Sequence, residues 1–135
     1  MASLHKEAVV DASPDSVWDA VRDVGAIHTR LAKGFVTDTR MDGTSRIVTF
    51  ASGMTARELI VTVDDRAKRL AWAVVDSPRL THHNASLQVF ADGNGGSRLV
   101  WIADLLPNEM AEPIGGMIDQ GLRAMKHTLE LLKTT

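Results

Sequence analysis

The 135-residue chain contains no cysteine. Disulfides, thiolate catalysis and Cys-based zinc sites are therefore excluded. It also lacks an excess of charge of either sign, with 15 Lys and Arg against 17 Asp and Glu for a formal net charge of −2. Nucleic acids and anionic membranes call for a basic face, so neither is an expected partner. No stretch approaches the roughly 18 consecutive apolar residues of a spanning helix, so no membrane span is expected. The first residues, Met-Ala-Ser-Leu-His-Lys-Glu, hold no apolar signal core, and a cytoplasmic location is the default. Phosphate-binding glycine loops, nucleophile elbows and the His-Glu-x-x-His zinc motif are missing too. No cofactor and no metal site is expected. Repeats, linkers and low-complexity segments are absent. What remains is an ordinary globular balance, 44% hydrophobic and 24% charged, expected to form one domain over residues 1–135.

The most informative stretch is residues 107–133. Apolar residues fall at Ala111, Ile114, Ile118, Leu122, Met125, Leu129 and Leu132. Steps of three and four mark one buried helix face. Taken from Pro113 to Lys133, such a helix would be roughly 31 Å long at 1.5 Å per residue. It needs a large apolar surface to lie on.

What precedes it is mostly strand. Residues 4–11 predict a first strand. Ser13 then caps a helix with Pro14 at its first position and Val17, Trp18, Val21 and Val24 at helical spacing. Residues 26–31 predict a further short helix with Ile27 and Leu31 inward, ended by Gly34. From Phe35 the period changes to two. Strands are predicted over residues 35–41, 46–50, 55–63, 69–75, 80–90 and 98–106. Asp42-Gly43, Ser52-Gly53, Asp64-Asp65-Arg66, Ser77-Pro78 and Asp92-Gly-Asn-Gly-Gly96 supply the turns between them. Consecutive strands with tight turns imply an antiparallel meander.

Several pieces stand in a telling order. They are Ser13-Pro14-Asp15-Ser-Val-Trp18, Arg46-Ile-Val-Thr-Phe50, Gly53 before Arg57-Glu58-Leu59, Asp64-Asp65 with Arg69-Leu70 before Trp72, and Val100-Trp101. Followed by a long terminal helix, they resemble the helix-grip superfamily of START, birch-pollen-allergen and polyketide cyclase/dehydrase proteins. The likeness covers nearly the whole chain. It implies an α+β helix-grip fold: a seven-stranded antiparallel curved sheet wrapped around a long C-terminal helix, with two short helices after the first strand. It also implies a cavity between sheet and helix for a lipid, sterol, hormone or polyketide. Members range from enzymes to carriers to co-chaperones, so fold alone does not settle function. Three functions stand: binding of a small apolar ligand, a cyclase/dehydratase-type enzyme, and an interaction module with a vestigial cavity. A homodimer is allowed.

Candidate site residues follow from strand phase. Adjacent strand residues face opposite ways, so His82 and His83 cannot share a metal. The face carrying His83, Ala85, Leu87 and Val89 is the apolar one. His83 is thus either a polar group inside the cavity or a core histidine with one hydrogen bond. His28, in the segment that the resemblance places at one end of the cavity, is either its partner across a ligand or an exposed loop histidine. The resemblance places a recurring acidic residue at Glu58, either an acid/base group or half of a cross-strand ion pair. Trp72 and Trp101 read as an inward aromatic wall or as plain core packing, Phe35 as further lining, and Met117 and Met125 as adaptable lining or as core. Gly115, Gly116 and Gly121 either fray the helix start or leave room for a ligand, each costing about 1 kcal/mol in a helix interior. His5 and His127 read as structural or solvated, and Asp104 as facing outward. Asp92-Gly-Asn-Gly-Gly opens like a calcium loop, but the twelfth position is Ala103 rather than glutamate.

Overall fold

The structure is a computed structural model and describes residues 1–132. In chain order it comprises β1 (Ala2–Val10), α1 (Pro14–Arg22), a π-helical turn (Ile27–Leu31), β2 (Val36–Asp42), β3 (Ser45–Phe50), β4 (Thr55–Asp64), β5 (Arg69–Val75), β6 (His82–Ala91), β7 (Ser97–Leu106), a 3₁₀ turn (Asn108–Met110) and α2 (Ala111–Leu132). The strands form one seven-stranded sheet in the order β1-β7-β6-β5-β4-β3-β2, every neighbouring pair antiparallel. β2 to β7 are a meander, as the turn signals predict. β1 returns from the start of the chain to lie beside β7, pairing Ala2 with Leu105 and Val10 with Ser97. The sheet curves around α2, which is the helix-grip fold.

Local chemistry sets the short elements. The Ser13 hydroxyl accepts the Ser16 amide at 3.2 Å and so caps α1, with Pro14 opening the helix. Val17, Trp18, Ala20 and Val21 form its buried face. Burial of each valine contributes about 1.5–3 kcal/mol. The Trp18 indole and the Arg22 guanidinium both donate to Asp65 Oδ1, at 2.9 and 2.8 Å. Asp65, which the sequence shows as a turn residue and as part of the resemblance, therefore ties the β4–β5 turn to α1.

α2 starts at Ala111, two residues before the expected start at Pro113. Pro113 lies in the first helical turn, where a missing N–H leaves no intrahelical bond unmade. The helix runs unbroken through its glycines, so they neither fray nor interrupt it. Its buried face is Ile114, Gly115, Ile118, Gly121, Leu122, Met125, Thr128 and Leu129. Leu132, expected on that face, is exposed. A three-residue step from Leu129 turns it about 60° off the stripe at 3.6 residues per turn. Lys133, the last residue of the expected helix, lies outside the described residues. Thr128 is 1% exposed; its hydroxyl accepts the Lys33 amide at 3.0 Å and donates to the Ala124 carbonyl at 2.7 Å. This polar member of the apolar face pins the segment after the π-helical turn to α2.

Candidate functional site

Between the concave face of the sheet and α2 lies a cavity of about 760 Å³. Its inner wall includes Val48, Leu70, Trp72, Leu87 and Trp101 from the strands, Ile118 and Met125 from α2, and Phe35. The Trp72 and Trp101 rings meet edge to face, with centroids 5.7 Å apart and planes at 67°. Phe35 and Phe50 do the same at 5.4 Å and 68°. The cavity opens where the β3–β4 turn, the β5–β6 loop and the start of α2 converge. Met54, Pro78 and Arg79 are exposed there, beside Met110, Pro113 and Met117.

Eight polar side chains line the cavity: Thr55, Arg57, Asp76, Ser77 and Arg79, and three more, Arg46, Glu58 and His83. Arg46 and Glu58 are direct cross-strand partners, only 3% and 8% exposed. Arg46 Nε donates to Glu58 Oε1 at 2.8 Å and Arg46 Nη1 to the Val24 carbonyl at 3.2 Å. The Arg46 guanidinium also lies 5.4 Å from the centroid of Trp72. Both charges are tolerated in the wall because each supplies the other's counter-ion. Arg46 was not singled out from the sequence as a site residue. Part of the signal is in the sequence, where Arg46 alternates with Val48 and Phe50; its place opposite Glu58 comes from the register.

His83 is the third. It shares the inward face with the buried Ala85, Leu87 and Val89, as the strand phase predicts. His82 faces outward, where Nε2 contacts Asn84 Oδ1 at 2.5 Å. Burial, with a smaller contribution from His82, holds the His83 ring below the ordinary imidazole value. The ring is therefore neutral at pH 7.

Phe35, Glu58, Trp72, His83, Trp101, Met117 and Met125 all stand in the cavity wall. Gly121 and His28 do not. Gly121 is instead a contact point: a Cβ there would sit 3.0 Å from Trp101 Cζ3 and 3.2 Å from Phe35 Cε2. Its missing side chain lets both aromatic rings close on the helix. His28 sits half-buried in the π-helical turn, its Nδ1 enclosed without a hydrogen-bond partner. Arg57 also lines the cavity and pairs with Asp42 at 2.9 Å. Asp104 faces outward and accepts from Ser3 at 2.5 Å and from Asn84 at 3.2 Å. His5 pairs with Glu7 at 2.9 Å, and His127 is exposed. Asp92 Oδ1 accepts the Asn94 and Gly96 amides, which closes a hairpin turn. Among the described residues no group of three or more His, Asp or Glu is placed to hold a metal ion, and no helix is long and apolar enough to cross a membrane.

The sequence matches the family described as polyketide cyclase / dehydrase and lipid transport over residues 1–130. Among curated proteins no sequence matches. Solved structures that share the fold include a Thermobifida fusca protein determined by solution NMR, 27% identical, covering 96% of this chain and 91% of that chain with a TM-score of 0.76. A START superfamily protein from Mycobacterium smegmatis is 12% identical, covering 96% and 98%, with a TM-score of 0.79. The di-domain ARO/CYC BexL of the BE-7585A biosynthetic pathway is 17% identical with a TM-score of 0.82; the match takes all of this chain and 48% of that one. At those identities the last two speak for the fold alone. The sequence match spans nearly the full length, and the structure carries the helix-grip fold with a lined cavity. The chain belongs to the polyketide cyclase / dehydrase and lipid transport family.

Proposed function

We propose that this protein binds a small, largely apolar molecule in the cavity between the sheet and α2. The observation that carries the reading is the cavity itself, about 760 Å³ with a wall largely of Trp, Phe, Met and aliphatic side chains. Ligand pockets run from about 300 to 1,000 Å³ and are lined in this way. Burying roughly 300 Å² of apolar ligand surface would contribute about 7 kcal/mol before the loss of translational freedom is subtracted.

A second reading, acid/base catalysis on a bound ketone, is favoured by one observation. A neutral imidazole, His83, stands in the cavity wall, where it can take up or pass on a proton near neutral pH. Glu58 suits that role less well, because its carboxylate is engaged by Arg46.

Native mass spectrometry of the purified protein, with titration by the neutral dye Nile red, tests the binding reading. A retained apolar mass or saturable Nile red binding, lost in Met117→Trp at the mouth, is the expected result. No retained mass and no dye binding would leave the interaction-module alternative. The enzyme reading adds one requirement: the bound molecule's mass changes on incubation with the native protein and not with His83→Phe.

A further inference from the structure

The two ring nitrogens of His83 are in different situations. Nδ1 is sealed inside the protein and has no hydrogen-bond partner among the described residues. Nε2 is not sealed, and the residue lines the cavity. A neutral imidazole carries one proton, on one nitrogen or the other. An N–H buried without an acceptor is the costlier orphan; an unsatisfied lone pair is better tolerated. The sealed Nδ1 is therefore the bare nitrogen and Nε2 holds the hydrogen.

The strand register adds what surrounds this donor. Arg46 pairs with Glu58 and Glu58 with Val74. His83 continues that row one step beyond the Ala73–Asn84 pair. Two strand spacings, about 10 Å, thus separate the backbone of His83 from that of Glu58. At that level Arg46 and Glu58 neutralise each other, so the pair presents no net charge to the ligand; Arg57, also in the lining, is paired with Asp42 and Asp76. Trp72, paired with Ala85 two residues along from His83, supplies an aromatic surface beside the donor.

We infer that His83 is a specificity-determining donor, presenting Nε2–H to the cavity and selecting a neutral aromatic molecule that carries a carbonyl oxygen. This deepens the ligand-binding reading and rests on it. Two probes of nearly equal shape test it, 2-acetylnaphthalene and 2-isopropenylnaphthalene, in which a C=O replaces a C=CH₂. Dissociation constants are read from tryptophan fluorescence for the native protein, His83→Phe and His83→Gln. The native protein should prefer the ketone by roughly 3- to 10-fold, the effect of one neutral hydrogen bond. His83→Phe should bind both alike, and His83→Gln, which keeps a donor, should restore part of the preference. Equal affinities in the native protein, or a preference that survives His83→Phe, would overturn this inference and leave the cavity reading standing. Failure of both probes to bind would overturn the two together. Nitrogen-15 NMR of the native protein gives an independent readout: a proton found on Nδ1 at neutral pH rules the inference out.

Discussion

Arg46 and Glu58 meet at 2.8 Å across β3 and β4, buried in the wall of a largely apolar cavity. Each is tolerable there because of the other. Glu58→Gln leaves Arg46 buried without a counter-ion and should cost about 3–5 kcal/mol of unfolding free energy. Replacing both, as Arg46→Met with Glu58→Leu, should recover most of that loss. Urea unfolding of the three proteins measures both effects. A double variant no better than the single one would mean that the pair is not the unit that matters.

Gly121 and Gly116 should respond oppositely to alanine. Gly116 is exposed, and a Cβ there meets nothing within 4 Å. Gly116→Ala should therefore stabilise α2 by about 0.5–1 kcal/mol through helix propensity. At Gly121 the same gain is opposed by Trp101 at 3.0 Å and Phe35 at 3.2 Å. Overpacking of this kind costs about 1–3 kcal/mol. Thermal unfolding should place Gly121→Ala below Gly116→Ala, with altered tryptophan fluorescence in Gly121→Ala alone. Equal gains from both would show that Trp101 and Phe35 can yield freely.

Thr128→Val keeps the shape of the side chain and removes the acceptor of the Lys33 amide. An amide left unsatisfied in a partly buried site costs about 1–3 kcal/mol. Amide hydrogen exchange should quicken at Lys33 itself. Unchanged protection at that amide would contradict the assigned role.

Stability should decline with acid through two kinds of group, one imidazole and four carboxylates. Burial first, and His82 second, hold His83 below its ordinary value of 6.5. Well above pH 6.5 the ring is neutral in the folded and unfolded chains, and His83 makes no contribution to the slope. As pH falls below 6.5 the unfolded chain takes up the proton first, so stability drops until the depressed folded value is passed. His83→Phe should flatten that segment. Glu7, Asp65, Asp104 and Glu130 are lowered chiefly by hydrogen bonds from Arg98, Arg22, Ser3 and Lys126. What they contribute is present above pH 4.5 and is lost below it. A native profile with no drop as pH falls below 6.5, before the carboxylate range is reached, would argue against a buried neutral imidazole.

The fold was legible because each element carries its own period. Alternation put His83 rather than His82 inside, and steps of three and four placed Ile118 and Met125 on the buried face of α2. What escaped depends on contacts between distant segments. Thr128 is polar and falls outside an apolar stripe, yet it is fully buried because the Lys33 amide needs an acceptor. Asp65 reads as a turn residue and as part of the resemblance until Trp18 and Arg22 are seen to converge on it. Gly121 read as space for a ligand; only the positions of Trp101 and Phe35 show that aromatic rings take that space. The Arg46–Glu58 pair needed the register of β3 against β4, which periodicity does not supply.

The pairing of β1 with β7 governs the order in which the molecule can be made. β1 is synthesised first, but its neighbour in the sheet comes roughly a hundred residues later, a loop whose closure costs about 4 kcal/mol. At ribosomal speeds of ~5–20 residues per second, the strand waits several seconds with its hydrogen-bonding edge unpaired. α2, which forms one side of the cavity, emerges later still. A nascent chain therefore has no chamber to fill until translation has passed the last helix.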